Sequence, residues 1–199
     1  MDERRSFFDS SALTWDQIPE HESRAGKLAK LVEGFGIGEG EAVLDVGCGT
    51  GVLLPLLGRA VGQGGTLAAI DFSFKMLAAA ASHSFEKRPV FCNAGVAAIP
   101  FRQGSFDRVT CFSAFPHFPD KKKALAEMVR VLRSGGSLFI AHLHSIEEIA
   151  ALHAEVGGPV LQDRLPDRET MASLMTEAGL SGIEISNEPG RFLARGRKG

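Results

Sequence analysis

The sequence predicts a doubly wound, Rossmann-like α/β fold. It has a mostly parallel sheet of seven strands, the last antiparallel, with helices on both faces. Two observations carry this expectation. Short apolar runs of strand length alternate with longer stretches of helical periodicity along almost the whole chain. The first such run, in VLDVGCGTG, passes directly from Val46 into a loop with glycines at 47, 49 and 51. That is how a strand in this class of fold delivers its backbone to a ligand. The length agrees: 199 residues, 44% hydrophobic and 23% charged, are enough for one well-cored domain.

The elements follow in order. SRAGKLAKLVEGF places Leu28, Leu31, Val32 and Phe35 at helical spacing. AVLDV is a buried strand. VLLPLLGRAV is a helix whose Pro55 must lie in its first turn. TLAAID is the second strand, and SFKMLAAAASHSF is an Ala-rich helix that Ser73 can cap. VFCNA and RVTCFSA are the third and fourth strands, joined by IPFRQGSFD, which is too short for a long helix. DKKKALAEMVRVLRSGG is the clearest helix. Asp120 is its N-cap, Leu125, Met128, Val129 and Leu132 form its stripe, and Gly135–Gly136 are expected to end it. SLFIAHL is the fifth strand. EEIAALHAEV and RETMASLMTEAG are helices, the second capped by Asp167 and closed by Gly179. GIEIS and RFLARGR, separated by a turn at 187–190, pair as an antiparallel hairpin.

Composition excludes several function classes. A net charge of −2 projects no strong field toward nucleic acid or a membrane surface. The three cysteines, Cys48, Cys92 and Cys111, are too few and too scattered for a disulfide framework or a CxxC metal site. A reducing compartment fits, and the expected location is cytoplasmic. MDERRSFFDSSALTWDQ lacks an apolar core of signal-peptide length. No run approaches the ~20 apolar residues of a membrane span.

The glycine loop narrows the ligand. A strand, a glycine turn and a helix leave backbone N–H groups free at a helix N-terminus. Gly47 and Gly49 match a dinucleotide fingerprint, but Val52 stands where the third glycine belongs, and Gly51 falls one residue early. There is no lysine in the loop, so it is not a P-loop. Asp71 ends the second strand 20 residues beyond Gly51, where an acid can accept both ribose hydroxyls. The loop therefore suits an adenosine nucleoside better than a pyrophosphate.

At this point the chain resembles the class I S-adenosylmethionine-dependent methyltransferases, in particular the methyltransferase type 11 subgroup. LDVGCGTG resembles the family's D-x-G-x-G-x-G loop. AAIDFSFKML resembles its second-strand acid and the D-x-S-x-x-M-L that follows. NAGVAAIPFRQGSFDRVTC resembles its adenine segment, and HFPDKKKALAEMVRVLRSGGSLFIA its later helix and fifth strand. FFDSSALTWD resembles the stretch preceding the core in this subgroup. The resemblance implies one methyltransferase domain over 1–199, with an N-terminal cap segment (1–25), a cofactor-binding core (40–142) and a substrate-side loop with C-terminal hairpin (143–199). It implies S-adenosylmethionine as cofactor. Gly47, Gly49 and Gly51, with Cys48 between them, would pass under its methionine part, and Asp45 would sit near its ammonium. Asp71 would hold the ribose, Phe72 and Met76 would pack near the adenine, and Ala94 would offer its backbone N–H to the ring. Cys111 and Phe112 would line the slot. Asn93 replaces the family's usual acid; its amide oxygen can accept from the adenine amino group, though without the charge that strengthens such a bond.

Methyl transfer from a sulfonium is an in-line displacement, and alignment alone can supply ~7–11 kcal/mol of the barrier. A base is needed only where the acceptor loses a proton. The candidates are His117 after the fourth strand and His142 and His144 after the fifth, the last two facing one side of an extended segment. Three readings stand for them. They make ordinary hydrogen bonds at the sheet rim, or they orient or deprotonate the acceptor, or they form a metal site with His153. The expected enzyme is thus a small-molecule methyltransferase with no assigned metal. A metal-assisted version and a non-catalytic S-adenosylmethionine-binding protein stand as alternatives. FSAFPHF after the fourth strand lacks the N/D-P-P-Y/F of base-amino methylation, so neither nucleic acid nor membrane is the expected partner. Phe7, Phe8, Leu13 and Trp15, with the loop HAEVGGPVLQDRLPD, are left to wall a pocket for a small acceptor. The oligomeric state is not legible.

Overall fold

In the computed structural model, residues 3–12 and 22–199 are described; the expectations for Leu13 and Trp15 lie outside these. Seven strands make one sheet in the order β3-β2-β1-β4-β5-β7-β6. They are β1 (Ala42–Val46), β2 (Thr66–Asp71), β3 (Val90–Asn93), β4 (Phe106–Phe112), β5 (Leu132–His142), β6 (Leu180–Glu188) and β7 (Arg191–Lys198). β1 to β5 are mutually parallel where they pair, and β7 lies antiparallel between β5 and β6. The order reverses between β1 and β4, so the crevice forms beyond their carboxyl ends, where the glycine loop lies.

The helices are α1 (Glu3–Ser11), α2 (Glu22–Glu33), α3 (Leu54–Val61), α4 (Phe74–Ala81), α5 (Lys121–Val131), α6 (Ile146–Val156) and α7 (Arg168–Glu177). Their cores sit on both faces of the sheet because β1 is buried on both. Leu44 and Val46 join Leu125, Met128 and Met171 on one side. Val43 joins Leu28, Leu57 and Phe139 on the other. Burying each such leucine or phenylalanine stabilises by roughly 1.5–3 kcal/mol. The stripe of α2 is buried as its spacing requires, and Phe35, just past the helix, packs on Phe139 with ring centroids 4.6 Å apart. Among the described residues, no helix is long and apolar enough to cross a membrane.

Caps behave as their residue types dictate. Ser73, Asp120 and Asp167 accept from the backbone N–H of Met76, Lys123 and Thr170. Ser145 forms a full capping box with Glu148 at the start of α6. Pro55 lies at the start of α3. Three boundaries differ from expectation. α4 stops at Ala81 rather than running to Phe85. α1 is a helix in a segment with no strong periodicity; it is held by tertiary contacts, with Phe8 buried in a cluster with Met76 and Val160. Gly135–Gly136 do not end α5, which stops at Val131; they lie inside β5. The reason is an irregular register: Leu132 pairs with Phe106, yet Ser137 pairs with Arg108. The extra residues bulge out, with Gly135 at φ +75, and a Cβ on Gly136 would meet the Asp107 carbonyl at 2.9 Å.

Candidate functional site

The loop after β1 is built backbone-first. Gly47 and Cys48 both donate to the Ile70 carbonyl, at 2.9 and 3.0 Å, and Gly49 donates to an Asp71 carboxylate oxygen at 2.9 Å. β1 and β2 are thus tied together at their carboxyl ends. Gly47 has φ +70, and a Cβ there would lie 2.5 Å from the Ala114 Cβ, so only glycine fits. Gly49 differs: its missing Cβ would meet nothing within 4 Å. That face of the loop opens into a cleft of about 910 Å³.

Two buried carboxylates stand at this end. Asp45 is 2% exposed and accepts from the Thr110 hydroxyl at 2.7 Å. Burial pushes its pKa up to about 7; the Thr110 bond opposes this, and Asp71 nearby adds to it. Asp71 is raised above the usual carboxylate range, again chiefly by burial, although the Ser73 and Gly49 amides pull it back. Among the described residues neither carboxylate pairs with a cationic side chain. The arrangement is short of positive charge, and a ligand carrying a cation would restore the balance.

The opposite wall is made of imidazoles and apolar side chains. His117, His142, His144 and His153 all line the cleft, together with Phe7, Phe8, Phe118, Ile149 and Val160. His142 is 4% exposed, and its Nε2 is buried without a hydrogen-bond partner. Burial, with smaller contributions from the neighbouring imidazoles, pushes its pKa down to about 3, so the ring is neutral at physiological pH. Nδ1 of His117 is 2.7 Å from an Asp163 carboxylate oxygen. Burial pulls the His117 pKa below its usual value, and the contact with Asp163 only partly offsets this. His153 places its Nδ1 2.8 Å from the Asp163 carbonyl. α1 closes the cleft from above. Phe8 packs edge-on against both Phe72 and His117, with centroids 5.6 and 5.1 Å apart, and Asp9 accepts from the Ser73 hydroxyl at 2.5 Å.

Of the expected site residues, the cleft gathers Asp45, Gly47, Cys48, Gly49, Asp71, Phe72, Met76, Ala94, Phe112, His117, His142 and His144. Burial first, then the two carboxylates, pushes the Cys48 thiol pKa up, so the group is neutral. Three expectations are corrected. Cys111 is buried in the core and does not line the cleft: adjacent strand residues alternate, and it is Phe112 that reaches the lining. Gly51 is a packing position: its Cβ would press on Ala80 at 3.0 Å and Leu54 at 3.1 Å. The Ala94 N–H is already donated to the Asp71 carbonyl at 3.0 Å, so it is not available to a ring. Asn93 is exposed and also donates its amide to that carbonyl, at 2.8 Å, so its amide oxygen remains an acceptor. Among the described residues, no group of three or more His, Cys, Asp or Glu is arranged to hold a metal ion.

Sequence reasoning missed Arg4, Ser113 and Asp163. Arg4 pairs with Asp163 and donates to the His117 carbonyl. Ser113, directly after β4, has φ +53 and lines the cleft; a non-glycine residue in that region is a recurrent mark of functional turns. Asp163 sits in the loop whose mixed Gly, Pro and charged composition was the available signal.

A family model described as a methyltransferase domain matches residues 44–140. The chain is 31% identical over 203 residues to a ubiquinone/menaquinone biosynthesis C-methyltransferase of Hahella chejuensis, covering 87% of this chain and 81% of that protein. It is 30% identical over 185 residues to the corresponding protein of Yersinia enterocolitica, covering 80% and 74%. Among solved structures, a SAM-dependent methyltransferase from Aquifex aeolicus superposes with a TM-score of 0.73 at 24% identity, over 94% of this chain and 97% of that one. A possible histamine N-methyltransferase from Thermotoga maritima gives 0.73 at 17% identity, over 96% and 98%. These two likenesses support the fold.

Proposed function

The chain belongs to the class I S-adenosylmethionine-dependent methyltransferases, and from that premise we propose that it methylates a small-molecule acceptor held between the glycine loop and the imidazole wall. The observation carrying this reading is the charge imbalance at the loop: two buried carboxylates, Asp45 and Asp71, line the cleft, and among the described residues no cationic side chain pairs with either. S-adenosylmethionine brings an ammonium and a sulfonium, and it supplies an electrophilic methyl group when bound. The residues present fit it. The open face of Gly49 admits a ligand against the backbone, and Asp45 lies where a cation is favoured. Asp71 has carboxylate lone pairs beyond those its two amides use. Phe72 and Met76 form an apolar wall for a flat ring, with the Asn93 oxygen beside it.

This chain's part in the reaction is alignment and exclusion of water. Phe7, Phe8, Phe118, Ile149 and Val160 present an apolar surface around the acceptor position, and a desolvated site strengthens every polar contact inside it. We assign His117, His142 and His144, among the polar groups lining the cleft, to the acceptor side. The curated relatives are named for C-methylation in ubiquinone and menaquinone biosynthesis. An acceptor with an apolar portion suits a cleft whose wall leaves Leu152 and Val156 exposed. A cytoplasmic site of action agrees with three free cysteines.

Calorimetry with S-adenosylmethionine and its demethylated product tests the cofactor half. Transfer of a tritiated methyl group to a metabolite extract, followed by solvent partition, tests the acceptor half. Absence of heat and of thermal shift with both compounds sinks the reading; label recovered only in protein or nucleic acid sinks the small-molecule assignment.

A further inference from the structure

We propose that Asp163 is the positioning residue of the acceptor side: it orients two imidazoles so that His117 takes a proton from an acceptor hydroxyl. This rests on the small-molecule reading above and names the chemistry of its acceptor.

Asp163 is buried in the segment between α6 and α7. It holds one imidazole with its side chain and another with its backbone: the carboxylate meets His117 Nδ1 at 2.7 Å, and the carbonyl meets His153 Nδ1 at 2.8 Å. A carbonyl oxygen only accepts, so His153 Nδ1 carries its hydrogen. Burial pushes the Asp163 pKa up, but hydrogen bonds from His117 and Arg4 outweigh it and keep the carboxyl below the usual range. The group is therefore an anion that also only accepts, and His117 Nδ1 carries its hydrogen too. In each neutral ring the lone pair is then on Nε2. The two ring centroids are 4.9 Å apart and both rings line the cleft; His142 lines it too, although its own Nε2 is buried and unpartnered. This wall offers proton acceptors.

Arg4 of α1, paired with Asp163 and donating to the His117 carbonyl, is held at this end of the cleft, whereas Asp45 and Asp71 stand at the glycine loop. A lone pair on His117 Nε2 serves an acceptor that must lose a proton, and a phenol or enol hydroxyl is such a group. The hydroxyl proton passes to His117 Nε2. The electron pair released on the acceptor forms the bond to the methyl carbon, and the carbon–sulfur bond breaks toward sulfur to leave a neutral thioether. The imidazolium then returns its proton to water. The charged and titratable groups around His117 are Asp163, Arg4 of α1, Lys121 of α5, His142 at the end of β5 and His153 of α6.

Nitrogen-15 NMR of histidine-labelled protein tests this without turnover. Expected in the wild type are Nδ1–H tautomers for both His117 and His153. Asp163→Asn keeps an accepting oxygen but loses the charge, so it keeps the tautomer and lowers the His117 titration midpoint. Asp163→Ala loses both. With S-adenosylhomocysteine present, 4-nitrophenol bound to the wild type is expected to absorb as the phenolate, with the phenolate-to-phenol ratio falling about tenfold in Asp163→Asn and in His117→Gln, equivalent to one pKa unit. An Nε2–H tautomer at wild-type His117, or an unmoved His117 midpoint in folded Asp163→Asn, overturns the proposal. Calorimetry with S-adenosylhomocysteine on the same samples keeps the two readings apart. Binding alongside the wrong tautomer removes the role of Asp163 alone, and no binding removes the methyltransferase-site assignment beneath it.

Discussion

Replacing Asp45 by asparagine should stabilise the cofactor-free protein while impairing cofactor binding. Burial raises the Asp45 pKa from 3.8 to about 7 in the folded chain. The folded state therefore binds a proton more tightly than the unfolded state does. The carboxyl's contribution is most favourable below its unfolded pKa of 3.8 and is lost as pH rises through about 7. At 1.36 kcal/mol per unit, a shift of this size makes the ionised group destabilising by about 4 kcal/mol at its full extent. Asparagine retains an oxygen to accept from the Thr110 hydroxyl and carries no charge. Above neutral pH the variant should therefore exceed the wild type by up to about 4 kcal/mol, or about 8–16 °C in melting temperature for a chain of this size. The difference should shrink steadily toward acid pH. Urea unfolding and thermal melts across a pH series measure it. S-adenosylmethionine should stabilise the wild type by mass action and the variant much less. A variant equal to or less stable than the wild type in alkaline buffer without cofactor would refute the reasoning, as would a pH-independent difference.

Asp71→Ala should weaken S-adenosylmethionine binding by about 1–3 kcal/mol in calorimetry, the range for losing a buried polar partner, and unchanged affinity in a folded variant contradicts the ribose assignment. Gly47→Ala forces a Cβ toward Ala114 at a positive φ, so chemical denaturation should show a loss of about 1–3 kcal/mol or more, with the cleft deformed. Ser145→Ala removes one half of the α6 capping box and should lower stability by about 1 kcal/mol in the same assay; His153, carried on that helix, should broaden in NMR spectra.

The fold was legible because period and punctuation agreed. Val43, Leu44 and Val46 could only be a doubly buried strand, and Ser73, Asp120 and Asp167 marked helix starts that the structure keeps. Gly135–Gly136 misled because a glycine pair after a helical stripe is also what a bulged strand needs; only the pairing with β4 distinguishes them. α1 was illegible because its hold on the molecule lies in Phe8 and Asp9 reaching residues far along the chain. At the site, the glycine loop and both acids were readable from spacing, since local geometry fixes them. The division between Cys111 and Phe112 needed the strand's face, and Asp163 needed the fold itself, because it lies 46 residues from the histidine it holds.

The first helix touches both ends of the cleft at once. Asp9 secures the start of α4, behind the Asp71 end, and Phe8 bridges Phe72 to His117. Engineers who exchange this segment to accommodate a new substrate will therefore change cofactor affinity in the same step. The α6–α7 segment is no freer, because Asp163 and Val160 hold the same helix through Arg4 and Phe8.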